Sequence, residues 1–114
     1  MTLEEIRNYC LKLPGVTESI KWEEHLCFSV GDKMFLLTSP DQYPVNASFK
    51  TTEEIFNRLT GRPGIKQAPY FARGSWLHID DIERLATEEW IELIDTAYQL
   101  IYMKLPKSVR DKIR

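Results

Sequence analysis

The sequence has few of the features that mark secreted, membrane-spanning or disulfide-linked proteins. It contains only two cysteines, Cys10 and Cys27, with no Cys-x-x-Cys pair, and reduced thiols of this kind fit a cytoplasmic protein. No apolar run reaches the length of about 18 residues that a transmembrane helix needs. The N-terminus is acidic and amphipathic, unlike a signal peptide. We therefore expect a cytoplasmic location and no membrane partner.

Motifs that mark catalysis or cofactor binding are also missing. Neither the G-x-G-x-x-G dinucleotide pattern nor a Walker A sequence occurs, and no Cys/His cluster has zinc spacing. The chain has two histidines, His25 and His78, and no motif pairs either of them with a nucleophile. We expect a protein that is not an enzyme and that uses no cofactor or metal.

The chain does contain the material of one globular domain. Of its 114 residues, 43% are hydrophobic and 28% are charged, which is the balance of a soluble folded protein. Aromatic and aliphatic residues run through the whole length, which excludes disorder. We therefore predict a single domain over residues 1–114.

Apolar spacing and turn residues predict the order of the elements. Helical periodicity predicts helices at 3–13, 51–59 and 87–104, with a single turn near 81–85. Alternation predicts strands at 25–30, 33–38, 45–50 and 75–79. Segments 16–24 and 61–69 are predicted to be connections, and 107–114 is either a last helical turn or a frayed tail. This order favours an α+β fold, with one antiparallel sheet and helices packed on one face.

The charges are unevenly distributed along the chain. The net charge of −2 argues against a dedicated nucleic-acid binder, which is usually basic. Residues 50–79, however, hold five basic and two acidic side chains, and residues 100–114 hold five basic and one acidic. If the fold joins these two segments, they form an anion-binding surface; otherwise they are ordinary solvated faces.

The segment 69–76 combines aromatic and cationic side chains ahead of a predicted strand. Tyr70, Arg73 and Trp76 are residue types that stack on bases and pair with phosphates. The alternative is that the aromatic rings pack under the loop and over one face of the sheet. Alternation along the strand places Trp76 and His78 on one face, and along 45–50 it places Asn46, Ser48 and Lys50 together.

The chain resembles the MmcQ/YjbR family of small bacterial proteins over essentially its whole length. Five stretches carry the likeness: Tyr9-Cys10-Leu11 running into Leu13–Glu18, the hairpin Phe28–Gly31 to Lys33–Phe35, Phe49-Lys50 before a helix, Pro69-Tyr70 with Arg73 and Trp76, and Ile94-Asp95 with Tyr98 and Lys104–Pro106. The resemblance implies a CyaY-like (frataxin-like) α+β fold. It also implies DNA binding through a "double wing" arrangement, in which Lys50, Tyr70, Arg73 and Trp76 match positions on the binding side.

The leading hypothesis is therefore a non-enzymatic DNA-binding module. We expect low, salt-dependent affinity, and a monomer or weak homodimer. Tyr70 and Trp76 are assigned to stacking, and the assigned cationic residues are Lys50, Arg62, Lys66, Arg73, Lys107 and Arg110.

Two other hypotheses remain open at this point. One is a small-ligand or protein-interaction domain with no nucleic-acid role, in which Trp22, Tyr70, Trp76 and Trp90 line a pocket between sheet and helix. The other is an enzyme that uses His25 or His78, which requires the histidine to lie in a cleft within reach of Cys27 or a carboxylate.

Overall fold

The chain folds into four α-helices and six strands in the computed structural model, which describes residues 1–114. The helices are α1 (Leu3–Lys12), α2 (Glu53–Leu59), α3 (Thr87–Tyr102) and α4 (Lys107–Ile113). The strands are β1 (Val16–Lys21), β2 (His25–Val30), β3 (Lys33–Thr38), β4 (Ala47–Lys50), β5 (Ile65–Gln67) and β6 (Trp76–Ile79). A single 3-10 turn, Ile82–Arg84, precedes α3.

The six strands form one antiparallel sheet in the order β1-β2-β3-β4-β6-β5. The first four strands follow one another as a meander, and β6 pairs with β4 only after α2 and β5 have been inserted. The two outer strands are therefore β1 and β5. A register shift between Phe28 and Ser29 marks a bulge in the β2–β3 pair.

One face of the sheet carries the hydrophobic core. Phe28, Leu36, Phe49 and Leu77 are paired across four neighbouring strands, and each is almost completely buried. Because cross-strand partners point to the same side, these residues form one continuous apolar row. Helices α1, α2 and α3 add their own buried residues to the same core.

The longest helix, α3, is the main cover of this core. Its apolar side packs on β2, β3 and β4. Trp90 is fully buried, its ring meets Phe49 edge-on at 5.4 Å, and its indole Nε1 donates a 2.7 Å hydrogen bond to the carbonyl oxygen of Ile82. None of the helices is long and apolar enough to cross a membrane.

The predicted fold class is confirmed: the chain is an α+β protein with an antiparallel sheet. The predicted strands 25–30 and 33–38 have the bounds that the structure gives to β2 and β3. Cys10 and Cys27 are both buried and unbridged, and burial raises the pKa of each thiol. The segment 107–114 forms α4 rather than a frayed tail.

Two predicted connections are wrong. Segment 16–24 contains β1, and segment 61–69 contains β5. β1 and β5 are the outer strands of the sheet, and each pairs with a neighbour on one side only. Outer strands bury fewer residues, so their sequences show only a weak alternation of apolar and polar residues. In β1, Ile20 remains mostly exposed, and β5 has only three residues.

Candidate functional site

The second face of the sheet lies away from the core, and we call it the open face. Alternation along each strand and the cross-strand registers assign its residues. They are Thr17, Ser19, Lys21, His25, Cys27, Ser29, Met34, Leu37, Ser48, Lys50, Lys66, Trp76 and His78. Within it, Leu37, Ser48, His78 and Lys66 are aligned across the four neighbouring strands β3, β4, β6 and β5.

The open face is basic although the chain as a whole is acidic. It carries Lys21, Lys50 and Lys66, and none of the strand positions that point outward on it holds aspartate or glutamate. None of these three lysines takes part in any of the five ion pairs of the protein. Burial and the nearby Lys104 ammonium lower the pKa of Lys50. The strand positions of the open face therefore present positive charge that is not paired with a carboxylate.

A cleft of about 560 Å³ opens on this face. Its volume lies within the range of roughly 300–1,000 Å³ for small-molecule sites. The cleft is lined by Trp22, His25, Leu37, Ser39, Asn46, Ser48, Pro69, Tyr70, Phe71 and His78. These residues come from the β1–β2 turn, the central strands and the loop before β6.

Two histidine–serine pairs form much of the polar lining. Ser39 Oγ lies 3.2 Å from His25 Nδ1, and Ser48 Oγ lies 2.9 Å from His78 Nδ1. Neither Nε2 atom has a hydrogen-bond partner within the protein. Each serine fixes one edge of its imidazole ring, and the opposite edge remains available to a molecule in the cleft.

The loop 68–74 borders the cleft and is held by one side chain. The Gln67 amide nitrogen donates to the carbonyl oxygens of Ala68 at 2.8 Å and Phe71 at 3.1 Å. Its amide oxygen accepts a 2.9 Å hydrogen bond from the backbone N–H of Gly74. The Phe71 ring stacks on Trp76 with a centroid distance of 4.1 Å and an interplanar angle of 15°. The loop is therefore anchored at both ends and in its middle.

Two aromatic side chains line the cleft without being covered by the protein. Trp22 is 65% exposed, and Tyr70 is fully exposed. Both have left-handed backbone conformations, with φ of 52° for Trp22 and 68° for Tyr70. Bulky residues rarely adopt such angles, and strained residues of this kind cluster at functional sites.

Four of the residues assigned to DNA contact from the sequence lie on or beside the open face with their side chains accessible. Lys50 and Lys66 point out from β4 and β5, while Tyr70 and Arg73 lie in the loop 68–74. Arg73 is exposed and makes no ion pair or side-chain hydrogen bond within the protein. The structure brings these four side chains to one side of the sheet.

The other four assigned residues are placed differently. Arg62 pairs with Glu89 of α3 and donates to the carbonyl oxygen of Arg84, so it is engaged on the helix-covered side. Lys107 pairs with Asp111 within α4, and Arg110 lies on the same helix.

Helix α4 packs beside the turn that leads into β1, where Ile113 lies against Gly15. It is thus at the sheet edge opposite to β5. Trp76 points to the open face, but it is buried beneath Phe71. The two basic segments therefore do not merge into one surface, although Lys104 lies close enough to Lys50 to lower its pKa.

The pocket expected between sheet and helices lies instead on the open face. Trp22 and Tyr70 line it. Trp76 and Trp90 do not line it. Trp76 is buried beneath Phe71, and Trp90 is buried in the core.

The enzyme hypothesis placed a histidine in a cleft, and both histidines do line one. Neither imidazole is hydrogen-bonded to Cys27 or to a carboxylate; their partners are serines. No group of three or more histidine, cysteine, aspartate or glutamate side chains is arranged to hold a metal ion.

Sequence reasoning missed Lys21, Ser39 and Asn46 as parts of this site. The alternation that grouped Asn46, Ser48 and Lys50 was a usable signal, because the structure pairs Ser48 with His78 and Lys50 with Trp76. Lys21 carried no such signal, since the strand that presents it was itself not recognised.

The environment of His78 makes the stability of the protein dependent on pH. Burial lowers the pKa of its imidazole below the ordinary value of 6.5, and the nearby Lys66 ammonium acts in the same direction, while the Asp80 carboxylate opposes them with a smaller effect. The unfolded chain therefore takes up this proton at higher pH than the folded protein does. The contribution of His78 to the free energy of unfolding is fully present well above pH 6.5. It is lost as the pH falls from there toward the lowered pKa of the folded protein.

We expect a lower denaturation midpoint at about pH 5.5 than at about pH 7.5, and a smaller difference in His78→Asn. Urea unfolding of both proteins at the two pH values measures this. The carboxylates whose pKa values are lowered by hydrogen bonds, such as Glu18, titrate at still lower pH. An identical pH dependence in the variant would show that His78 is not the group responsible.

The fold is an α+β domain with an antiparallel sheet, covered by helices on one face and indented by a polar, aromatic-lined cleft on the other. The family model YjbR matches residues 11–100. The chain belongs to the YjbR family.

Two solved structures share the fold. Protein DR2400 of Deinococcus radiodurans, described with the family-model domain DUF419, superposes with a TM-score of 0.88 at 26% identity, covering 98% of this chain and 87% of that one. A protein from Pseudomonas syringae shares the fold with a TM-score of 0.73 at 20% identity, covering 89% of this chain and 99% of that one. No curated protein matches the sequence.

Proposed function

We propose that the chain is a non-enzymatic DNA-binding module that contacts phosphates with its open face. One observation carries the proposal: Lys21, Lys50 and Lys66 lie on a face without carboxylates, in a chain whose net charge is −2. Such segregation of positive charge matches a polyanion. Phosphate contacts supply most of the affinity of proteins for DNA.

The spread of the lysines supports an extended ligand. Lys21 lies on one outer strand and Lys66 on the other, with Lys50 between them. Five spacings of about 4.8 Å separate the outer strands, a width of about 24 Å. Along the axis of a duplex each strand has one phosphate every ~3.4 Å, so this width corresponds to about seven base-pair steps.

The loop 68–74 extends the proposed interface beyond the strands. Arg73 is exposed there without a protein partner, and Tyr70 projects fully into solvent. The proposed contact set is Lys21, Lys50, Lys66, Tyr70 and Arg73. It leaves out Arg62, Lys107 and Arg110 of the sequence-based hypothesis, which belong to other sides of the molecule.

Arg73 provides a test of this interface by substitution of a single residue. Arg73→Gln removes one phosphate contact, so the slope of log K against log salt becomes shallower by about 0.9, and affinity at about 0.1 M salt falls roughly 5- to 8-fold. Fluorescence anisotropy with a labelled duplex and a labelled single strand, each titrated at low and near-physiological salt, measures both quantities.

Arg62→Gln is the matched control, since it removes the same charge from the helix-covered side. Its slope is expected to stay that of the unsubstituted protein. Equal losses in the two variants would point to general charge attraction rather than to the open face. No binding of either DNA even at low salt would refute the proposed function.

A further inference from the structure

We infer that the cleft on the open face receives an unpaired nucleobase, so that single-stranded DNA is preferred over duplex. This inference rests on the proposed function and adds the form of DNA that the protein selects. It is carried by the chemistry of the cleft lining, by the placement of the lysines outside it, and by the two exposed aromatic rings at its border.

The cleft lining suits a neutral polar group. It contains no aspartate, glutamate, lysine or arginine. A phosphate placed inside would lose its hydration without meeting a cation, which is costly. The lysines of the open face line no part of the cleft. A nucleotide therefore fits with its base inside and its phosphate outside.

The polar atoms of the lining suit the edge of a base. In both His25 and His78 a serine hydroxyl occupies Nδ1. The Nε2 atom on the other side of each ring has no partner within the protein. The Asn46 side-chain nitrogen Nδ2 donates to Gln42 Oε1 at 2.7 Å, and the side-chain oxygen Oδ1 of Asn46 remains free to accept a hydrogen bond. Imidazole and amide groups can donate to and accept from the nitrogen and oxygen atoms of a base edge.

Trp22 and Tyr70 supply the stacking surface. They reach the cleft from two separate loops and are exposed, so a ring that covers them gains contact without displacing protein. Bases of a single strand are free to stack in this way, and each such contact contributes substantially to affinity. A base within a duplex must first be unpaired and unstacked, which costs a few kcal/mol.

The experiment compares a labelled mixed-sequence strand of about 12 nucleotides with the duplex of the same sequence. Both are titrated by anisotropy with the unsubstituted protein, with the Trp22→Ala/Tyr70→Ala variant, and with Tyr43→Ala. Tyr43 is 94% exposed but lies outside the cleft, so it is a matched control for the loss of an exposed ring. Thymidine monophosphate is included as a competitor to represent a free nucleotide.

We expect the strand to bind more tightly than the duplex. The double variant is expected to lose about 5- to 150-fold for the strand and distinctly less for the duplex, with the salt slope unchanged. Tyr43→Ala is expected to bind both DNA forms like the unsubstituted protein. Weak competition by thymidine monophosphate is expected, because one nucleotide lacks the other phosphate contacts.

Three results would overturn the inference. Equal, salt-dependent binding of strand and duplex would refute the unpaired base while leaving the proposed function intact. A strand preference unchanged in the double variant would place the base elsewhere. Thymidine monophosphate that binds as tightly as the strand would identify a site for a free small ligand. Absence of binding to either DNA at low salt would instead refute the proposed function itself.

Discussion

Replacing Lys21, Lys50 and Lys66 together by glutamine lowers the affinity for DNA by roughly 100- to 500-fold at about 0.1 M salt. Each phosphate contact contributes about 0.9 to the slope of log K against log salt. Three lost contacts therefore make the slope shallower by about 2.7, and affinities converge near 1 M salt, where these contacts contribute little. Anisotropy titrations over a series of salt concentrations measure the slope and the affinity together.

The matched control removes three lysines that lie outside the open face, Lys12, Lys33 and Lys112. Both triple variants have a net charge of −5, from −2 and three lost positive charges. General electrostatic attraction therefore changes equally in the two proteins. If the control lost as much affinity as the open-face variant, the location of the lysines would be irrelevant and the assigned interface wrong. Circular dichroism of both variants checks that the half-buried Lys50 can be replaced without unfolding.

The largest effect on stability is expected at Trp90. Trp90→Ala leaves a cavity under α3 and removes the donor that the Ile82 carbonyl uses, and large-to-small changes of this kind cost about 3–5 kcal/mol. Because domains of this size are stable by only about 5–15 kcal/mol, the variant is expected to be marginally folded. Urea denaturation measures the free energy of unfolding. Trp90→Phe, which keeps a ring against Phe49 but loses the hydrogen bond, provides an intermediate case.

Trp22→Ala is compared with Trp90→Ala, because the loss of an exposed ring is expected to leave the free energy of unfolding nearly unchanged. Trp22 is 65% exposed, and surface substitutions usually change the free energy of unfolding by less than about 0.5 kcal/mol. A loss at Trp22 comparable to that at Trp90 would mean that Trp22 supports the fold, and its assignment as an accessible stacking surface would fail.

The sequence predicted the parts of this fold that carry strong periodic patterns. Strands β2 and β3 have alternating or continuous apolar residues, and α3 repeats its apolar residues at helical spacing. In each case the residues that form the pattern are the ones that the fold buries, so the pattern predicts the element. The outer strands escaped notice because β1 is largely exposed and β5 is short. β1 forms by hairpin pairing with the adjacent β2, whereas β5 forms by pairing with β6 across the loop 68–75, as in Lys66 opposite His78.

The candidate site was predictable only in pieces. Its residues come from the β1–β2 turn, the four strands β2, β3, β4 and β6, and the loops beside them. No local pattern shows which strands will be neighbours. The alternation correctly grouped Ser48 with Lys50 and Trp76 with His78. The pairing of β4 with β6, which places these two groups side by side, became visible only in the structure. In the same way, the charge of Arg62 was evident in the sequence, whereas its pairing with Glu89 was not.

The anchoring of the loop 68–74 by Gln67 has a consequence for the entropy of association. Ordering a flexible backbone costs roughly 1–2 kcal/mol per residue, and a mobile loop would incur that cost each time a ligand bound. Here the Gln67 amide and the Phe71–Trp76 stack order the loop before any ligand arrives, so the cost is borne once, during folding. A ligand then meets Tyr70 and Arg73 already in position, and even a small number of contacts can yield measurable affinity.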